Sequence, residues 1–225
     1  MMQQSGKRKS IANNPSSVNA LLLVDIQNDF MPGGALEVSN GHLIIPAVSK
    51  LIELPFATII ASKDWHPRNH ISFAATHKKK IGDIIEVEGI KQILWPVHCV
   101  QDTPGAEFFP GWDTHKVQKI FHKGTDPTID SYSAFFDNSR KKSTGLGEYL
   151  RKKGVDSLFI AGLATDYCVK YSAFDAISMG LNVYVISDAC KGVNLKSNDC
   201  KNALREMETA GALVISSDDV AALMK

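Results

Sequence analysis

Short apolar runs alternate with helical stretches from Ala20 to the end of the chain. The apolar runs have the length and bulk of buried strands, and they lie at 20–24, 57–61, 117–121, 157–161, 183–186 and 213–215. The helical stretches lie near 41–54, 144–153, 166–178, 197–210 and 218–223. Buried strands separated by helices predict a three-layer α/β/α fold with a six-stranded, mainly parallel, doubly wound sheet.

One segment interrupts this alternation. Residues 62–116 are too long for a simple crossover between two strands, and long irregular insertions in compact domains usually carry function. Residues 1–18 are polar and show no apolar periodicity, so we predict a disordered N-terminal tail. No repeat and no linker rich in Gly, Ser or Pro divides the remainder, which predicts a single domain over residues 19–225.

Composition narrows the class of protein. A formal net charge of +1 gives no reason to expect nucleic acid or an anionic membrane as partner. No apolar run approaches the roughly 20 residues that span a bilayer, and the N-terminus lacks the apolar middle of a signal peptide. The four cysteines are scattered without a C-x-x-C pair. These features predict a soluble, cytoplasmic enzyme. Enzymes of this size are often symmetric assemblies, so a homo-oligomer stays an open alternative to a monomer.

Reactive side chains follow four of the predicted strands. Asp25 ends the first, Asp64 and His66 follow the second, Lys123 follows the third and Cys168 the fourth. Because ligands bind outside the carboxyl ends of the strands in open parallel sheets, these residues are expected to meet at one edge. The set favours an enzyme over a binding protein.

Cys168 lies where a buried strand passes into a helix, in the segment S-L-F-I-A-G-L-A-T-D-Y-C-V-K. Gly162 breaks the apolar run, and Thr165 or Asp166 can cap the helix. In the first helical turn, unpaired N–H groups lower the pKa of a thiol and can hold an oxyanion, which favours a nucleophile. The alternative is that Cys168 is a small buried apolar residue, as most free cysteines are.

Asp25 is the candidate general base. It follows four apolar residues, and partial burial raises the pKa of a carboxyl group, whereas a nearby lysine lowers it. The commoner role of such an aspartate is to cap a helix or form a turn. Asp29 competes for the catalytic role, but its position beyond the strand favours a structural hydrogen-bond acceptor. Phe30 could cover a flat ligand, although filling the core is the default for a single phenylalanine.

Metal-ligand residue types cluster in the insertion. Asp64, His66 and His70 fall within seven residues, and His98 follows in L-W-P-V-H-C-V. Carboxylate and imidazole together suit Zn(II), Fe(II) or Mn(II), and the absence of a thiolate set excludes a closed zinc finger. The cluster therefore predicts one divalent metal ion, with zinc preferred, bound by the 62–116 insertion. A polar loop whose histidines cap helices or face solvent is the alternative.

Taken as a spaced set, several motifs resemble those of the nicotinamidases (pyrazinamidases) of the isochorismatase-like cysteine hydrolases. They extend from Ala20 to about Asn194 and read D-I-Q-N-D-F, D-W-H-P-R-N-H-I-S-F, W-P-V-H-C-V-Q, F-H-K-G and G-L-A-T-D-Y-C-V. The resemblance implies hydrolysis of nicotinamide to nicotinate and ammonia, in NAD salvage, and activity on pyrazinamide. It also implies an isochorismatase-like fold.

The resemblance also implies roles for particular residues. Asp25, Lys123 and Cys168 would form a catalytic triad that works through a thioester. A cis peptide would precede Ala164, whose N–H would form an oxyanion hole with that of Cys168. Metal ligation is implied for Asp64, His66 and His98, and also for His70, whose position is a ligand in some members of the family and not in others. An aromatic pocket is implied for Phe30, Trp95 and Tyr132. The metal would anchor the pyridine nitrogen of the substrate.

Two other functions remain open at this stage. Another amidase of the superfamily, acting on carbamoyl amides, is disfavoured because a small non-aromatic substrate needs neither the metal cluster nor the aromatic pocket. A catalytically silent metal- or ligand-binding protein is disfavoured because Asp25, Lys123 and Cys168 are all present.

Overall fold

The computed structural model describes residues 17–224, and within that range a six-stranded, fully parallel sheet organises the chain. The spatial order of its strands is β5-β2-β1-β6-β7-β8, and β3 and β4 form a separate antiparallel hairpin. Numbered in chain order, the strands are β1 (Asn19–Val24), β2 (Thr58–Asp64), β3 (Ile84–Val87), β4 (Ile90–Ile93), β5 (Lys119–Lys123), β6 (Ser157–Leu163), β7 (Asn182–Lys191) and β8 (Leu213–Ile215).

Helices cover both faces of the sheet. Alternate residues of β1 enter different cores, because successive side chains on a strand point to opposite faces. Leu21 and Leu23 pack in one core with α1 and α5, and Leu22 packs in the other with α2, α3 and α4. The described helices are α1 (Ile45–Leu51), α2 (Leu146–Lys152), α3 (Lys170–Ser178), α4 (Asp199–Ala210) and α5 (Val220–Leu223). The predicted three-layer architecture is confirmed.

The sheet strands match the predicted runs in order, but some ends differ. The run predicted at 117–121 is observed at Lys119–Lys123, and that predicted at 183–186 extends over Asn182–Lys191. The helix predicted at 41–54 is a short 3₁₀ turn followed by α1. Ends are set by hydrogen bonding and packing, which apolar periodicity does not report.

The β3–β4 hairpin lies inside the 62–116 insertion and was not predicted from the sequence. Its strands carry exposed or half-buried residues with one buried exception, so they lack the apolar runs that marked the sheet strands. Glu88 and Gly89 join them with φ angles of +50° and +79°, as a tight two-residue hairpin turn requires.

The predicted disordered tail falls largely outside the described residues. Ser17 and Val18, its last two residues, are described, and they contact the start of β6, a central strand of the sheet. The Val18 N–H donates to Asp156 Oδ2 at 3.0 Å, and the Ser17 and Ser157 hydroxyl oxygens are 3.1 Å apart. No helix between residues 17 and 224 has the length and apolar character needed to cross a membrane.

Candidate active site

The structure brings the four strand-end groups together at the carboxyl edge of the sheet. Asp25 follows β1, Asp64 ends β2 and Lys123 ends β5. Cys168 follows β6 in a π-helical turn, Thr165–Val169, that leads into α3. All four side chains are buried, so their charges interact with little screening by solvent.

Lys123 is the centre of this group. Its Nζ lies 2.9 Å from Asp25 Oδ2, 3.3 Å from Cys168 Sγ and 3.0 Å from the Ser131 carbonyl oxygen, and it also donates to Asp64 Oδ1. Burial opposes the ammonium charge, but the two carboxylates outweigh it, so the pKa of Lys123 is raised well above its usual value. One fixed cation therefore faces two carboxylates and a thiol.

Asp25 has the environment of a general base. The Ser62 hydroxyl donates to its Oδ1 at 2.6 Å, and the residue is fully buried. Burial raises the pKa of Asp25 above its ordinary value of 3.8, although Lys123 opposes the shift. This is the direction expected from the sequence, and it brings the carboxylate closer to the pKa that proton transfer near neutral pH requires.

The expected lowering of the thiol pKa is wrong. Burial raises the pKa of Cys168 well above its usual value, and Asp25 and Asp64 add to that effect, whereas Lys123 opposes it. The helix N-terminus does not overcome burial among carboxylates. The thiol therefore needs a base to remove its proton. Donor atoms of Asp25 and Asp64 both lie within 4.8 Å of the sulfur, and Asp25 is the better candidate because its pKa is raised whereas that of Asp64 is lowered.

The turn that carries Cys168 differs in detail from the predicted cap. Neither Thr165 nor Asp166 caps it, because Ala164 occupies that position and makes no side-chain cap. The Asp166 carboxylate accepts instead from the N–H groups of Val193 and Asn194, at 3.0 and 2.8 Å. The Leu163–Ala164 peptide is cis, as the resemblance implied. The Ala164 N–H donates to no acceptor among the described residues.

Asp64, His66 and His98 form a set of donors that fits a metal ion. Asp64 Oδ2 lies 3.5 Å from His66 Nε2 and 3.7 Å from His98 Nε2. Each imidazole is oriented through its other nitrogen, which lies 2.9 Å from the Gly124 carbonyl oxygen in His66 and 2.8 Å from that of Pro96 in His98. Carbonyl partners of this kind typically orient metal-binding histidines. The donor types and their convergence fit a divalent ion such as Zn(II).

His70 lies beside this set without joining it. Its ring stacks on that of His66 with centroids 4.0 Å apart, and its Nδ1 lies 2.7 Å from the Ser72 hydroxyl. Burial lowers its pKa to about 4, so it is a neutral imidazole at neutral pH. His66, His70 and Asp130 converge as a second group of donor atoms. The assignment of His70 as a ligand stays a prediction.

Aromatic side chains make a pocket above Cys168. Phe30, Trp95 and Tyr132, the residues implied by the resemblance, all line it, together with Tyr167 and Ala164. Trp95 meets Tyr167 edge to face with ring centroids 5.0 Å apart. The metal-ligand set forms another part of the same wall. A flat aromatic molecule would therefore contact rings, the donor set and the thiol together.

Asp29 takes the structural role predicted for it. Its Oδ2 accepts from the Cys99 N–H at 2.7 Å, and its Oδ1 accepts from the Ala35 N–H at 3.3 Å. It thereby connects the first loop to the residue after His98.

Sequence reasoning missed three contributors to the site. The Ser62 hydroxyl donates to Asp25. Its position on β2, two residues before Asp64, could have indicated that it lies near the site. Ser131 acts through its backbone carbonyl, so its side chain gave no signal. Gly124 is part of the F-H-K-G motif, but the sequence does not show why a glycine is needed there. In the structure, a Cβ at this position would lie 2.3 Å from His66 Cε1.

Comparison with known proteins extends this picture. The model of the isochorismatase domain family matches residues 19–219. The chain is 45% identical over 203 residues to a nicotinamidase of Escherichia coli (strain K12), covering 89% of this chain and 95% of that one.

Solved structures agree with the family match. A nicotinamidase/pyrazinamidase of Acinetobacter baumannii superposes with a TM-score of 0.87 at 42% identity, over 91% of this chain and 98% of that one. A pyrazinamidase of Pyrococcus horikoshii in complex with zinc gives a TM-score of 0.73 at 40% identity, over 88% of this chain and 99% of that one.

Proposed function

This chain belongs to the isochorismatase domain family, and on that premise we propose that it is an amide hydrolase that converts nicotinamide to nicotinate and ammonia. The observation that carries the proposal is the position of the Cys168 sulfur, 3.3 Å from Lys123 Nζ and below an aromatic pocket. The same pocket suits pyrazinamide, a heteroaromatic amide of similar size and shape, and nicotinate would enter NAD salvage.

The first step is activation of the thiol. Asp25 accepts the proton of Cys168, and Lys123 stabilises the carboxylate before the transfer and the thiolate after it. Burial raises the pKa of Cys168, which is why the thiol needs a base, and it also raises the pKa of Asp25, which makes that carboxylate a stronger base. The Lys123 ammonium stabilises the anion at either group.

The thiolate then attacks the amide carbon, and negative charge develops on the carbonyl oxygen. The N–H groups of Ala164 and Cys168 are the proposed donors to that oxygen. Asp25 gives its proton to the departing ammonia, leaving a thioester on Cys168. Asp25 next takes a proton from water, and the resulting hydroxide attacks the thioester carbon. The C–S bond then breaks, nicotinate is released, and Asp25 returns its proton to the thiolate.

Asp64, His66 and His98 would hold the divalent metal, which when bound would supply a coordination point for the pyridine nitrogen. Phe30, Trp95 and Tyr132 would position the ring, so the carboxamide would face Cys168. Orientation of this kind contributes to rate by removing the entropy cost of alignment. The zinc-bound pyrazinamidase of P. horikoshii supports zinc as the ion.

Ammonia release tests the proposal. The purified chain should release ammonia and nicotinate from nicotinamide, and Cys168→Ala should abolish this activity while the protein stays folded. Cys200→Ala is the matched control, because Cys200 is a half-buried free cysteine outside the pocket. Substantial residual turnover by Cys168→Ala would exclude the covalent route. Release of ammonia from carbamoyl amides but not from nicotinamide would replace the proposed substrate.

Metal content is measured on the same sample. Chelation should remove the ion and the activity together, and zinc, iron or manganese should restore activity. A chain that contains no metal by elemental analysis and is indifferent to chelators would contradict the ligand assignment.

A further inference from the structure

The β3–β4 hairpin directs one buried polar side chain toward the candidate site. Gln92 on β4 is 3% exposed, whereas the other residues of the hairpin strands are exposed or half-buried. Its Nε2 lies 2.7 Å from the Ile93 carbonyl oxygen, 3.0 Å from Asp130 Oδ2 and 3.3 Å from the Tyr132 hydroxyl. Two of these neighbours only accept hydrogen bonds, so the NH₂ of the amide must face them.

Asp130 depends on this contact. The residue is 3% exposed, and its Oδ1 accepts from the Ser131 N–H at 2.8 Å. Between residues 17 and 224, Gln92 is the only side chain that donates a hydrogen bond to the Asp130 carboxylate. A buried carboxylate that loses a donor loses much of its compensation for burial, so Gln92 fixes where this group lies.

The segment that Gln92 holds reaches the substrate pocket. The Ser131 carbonyl oxygen accepts from Lys123, and the Tyr132 ring lines the pocket. The Trp95 indole donates to the Tyr132 hydroxyl at 3.2 Å. Gln92 itself does not line the pocket, but a displacement of residues 130–132 would move the wall that contacts a bound ring.

We propose that Gln92 is a positioning residue, through which the hairpin sets the place of Tyr132 and so the affinity for the aromatic ring of the substrate. The proposal rests on nicotinamide hydrolysis as the proposed function. We expect Gln92 to act on binding more than on chemistry, because Asp25 and Asp64, which hold Lys123 together with the Ser131 carbonyl, lie outside the 130–132 segment.

Gln92→Leu removes the amide at nearly constant volume. We expect KM for nicotinamide to rise about tenfold, as loss of a hydrogen bond to a buried charge implies, with kcat changing by less than about threefold. A merely structural role would reduce the fraction of active enzyme, which lowers kcat and leaves KM unchanged. The split between KM and kcat therefore separates the two roles.

Two further variants complete the experiment. Lys91→Ala is the matched control, because Lys91 is exposed on the same strand and faces away from Asp130. Gln92→Glu keeps the shape of the side chain but sets a second carboxylate against Asp130, so its KM should rise at least as much as that of Gln92→Leu. Thermal melts verify that each variant is folded. If Gln92→Leu does not fold, the KM of Gln92→Glu tests the role of Gln92.

An unchanged KM in the folded Gln92 variants would refute the inference, as would an equal rise in Lys91→Ala. The wild-type assay keeps the two proposals apart. Absence of nicotinamide turnover by the wild-type chain refutes the proposed function and this inference with it. Wild-type turnover with unaltered KM in the Gln92 variants refutes only the role of Gln92.

Discussion

The candidate site has two halves that are built differently. The sheet half consists of Asp25, Lys123 and Cys168, each placed by the end of a parallel strand whose register is fixed by its neighbours. The insertion half consists of His66, His98, Trp95 and Gln92, from residues 62–116. There the short β3–β4 ladder, isolated bridges such as His66 with Val100, and single side-chain hydrogen bonds set the geometry.

The difference indicates how each half should respond to change. Groups on strand ends are held by many backbone contacts, so removing one reactive atom should alter chemistry and leave neighbouring positions in place. Groups in the insertion lie outside the ladders of the six-stranded sheet, so one altered contact should more readily move a ligand or a pocket wall. Substitutions in the sheet half should therefore lower kcat, and those in the insertion half should lower affinity for metal or substrate.

After the loss of activity expected for Cys168→Ala, the largest effect is expected for Asp25→Asn in the sheet half. The substitution removes the base at nearly constant volume, so kcat should fall about 10²- to 10⁴-fold, the usual contribution of general acid–base catalysis. Metal content should not change, because Asp25 is not part of the Asp64, His66 and His98 set. Steady-state ammonia release and elemental analysis measure the two quantities.

Asp29→Asn is the comparison variant for this experiment. Asp29 lies in the same loop, but its contacts are with backbone N–H groups, and an asparagine oxygen can still accept from Cys99. A severe loss of kcat in Asp29→Asn with little loss in Asp25→Asn would reverse the assignment of the base.

A smaller effect is expected for Gly124→Ala, a substitution just after β5 that acts on His66 of the insertion half. The new Cβ would collide with the His66 ring, so affinity for metal should fall about 10- to 100-fold, as it does when groups that orient metal ligands are altered. Excess metal should restore most of the activity. Competition with a chelator of known affinity measures the change independently of turnover.

Gly154→Ala is matched to this variant. Gly154 has a φ angle of +68°, close to the +61° of Gly124, but no heavy atom lies within 4 Å of its added Cβ. Both substitutions therefore carry the same backbone strain, and only one displaces His66. Equal metal affinity in the two variants would contradict the steric role of Gly124.

The smallest effect is a displacement of the pH profile. Asp25 must be ionised to accept the thiol proton, and burial raises its pKa above 3.8, so activity should be lost as pH falls through a value above 3.8. Below that midpoint kcat/KM should fall about tenfold per pH unit. The profile is measured with metal in excess and metal content verified at each pH. A midpoint at or below 3.8 would show that burial does not control this carboxylate.

The same division explains what the sequence could predict. Apolar runs identified all six sheet strands, and the strand ends identified Asp25, Asp64, Lys123 and Cys168, because a parallel sheet brings its carboxyl ends together. The pKa of Cys168 was predicted in the wrong direction, because burial among carboxylates depends on neighbours that are distant in sequence. Gln92 and the hairpin were missed because a buried amide on a polar strand leaves no periodic signal.

Lys123 ends β5, one of the two edge strands of the sheet, which pairs with β2 alone among the described residues. A strand with one neighbour opens more readily than the strands at the centre, where ladders on both sides resist separation. The cation proposed to stabilise the thiolate is thus attached to an edge strand, and its ion pairs with Asp25 and Asp64 tie it to the strands beside it. On warming, turnover should therefore be lost at temperatures at which the central strands are still folded, so the edge strand β5 would set the upper temperature limit of activity.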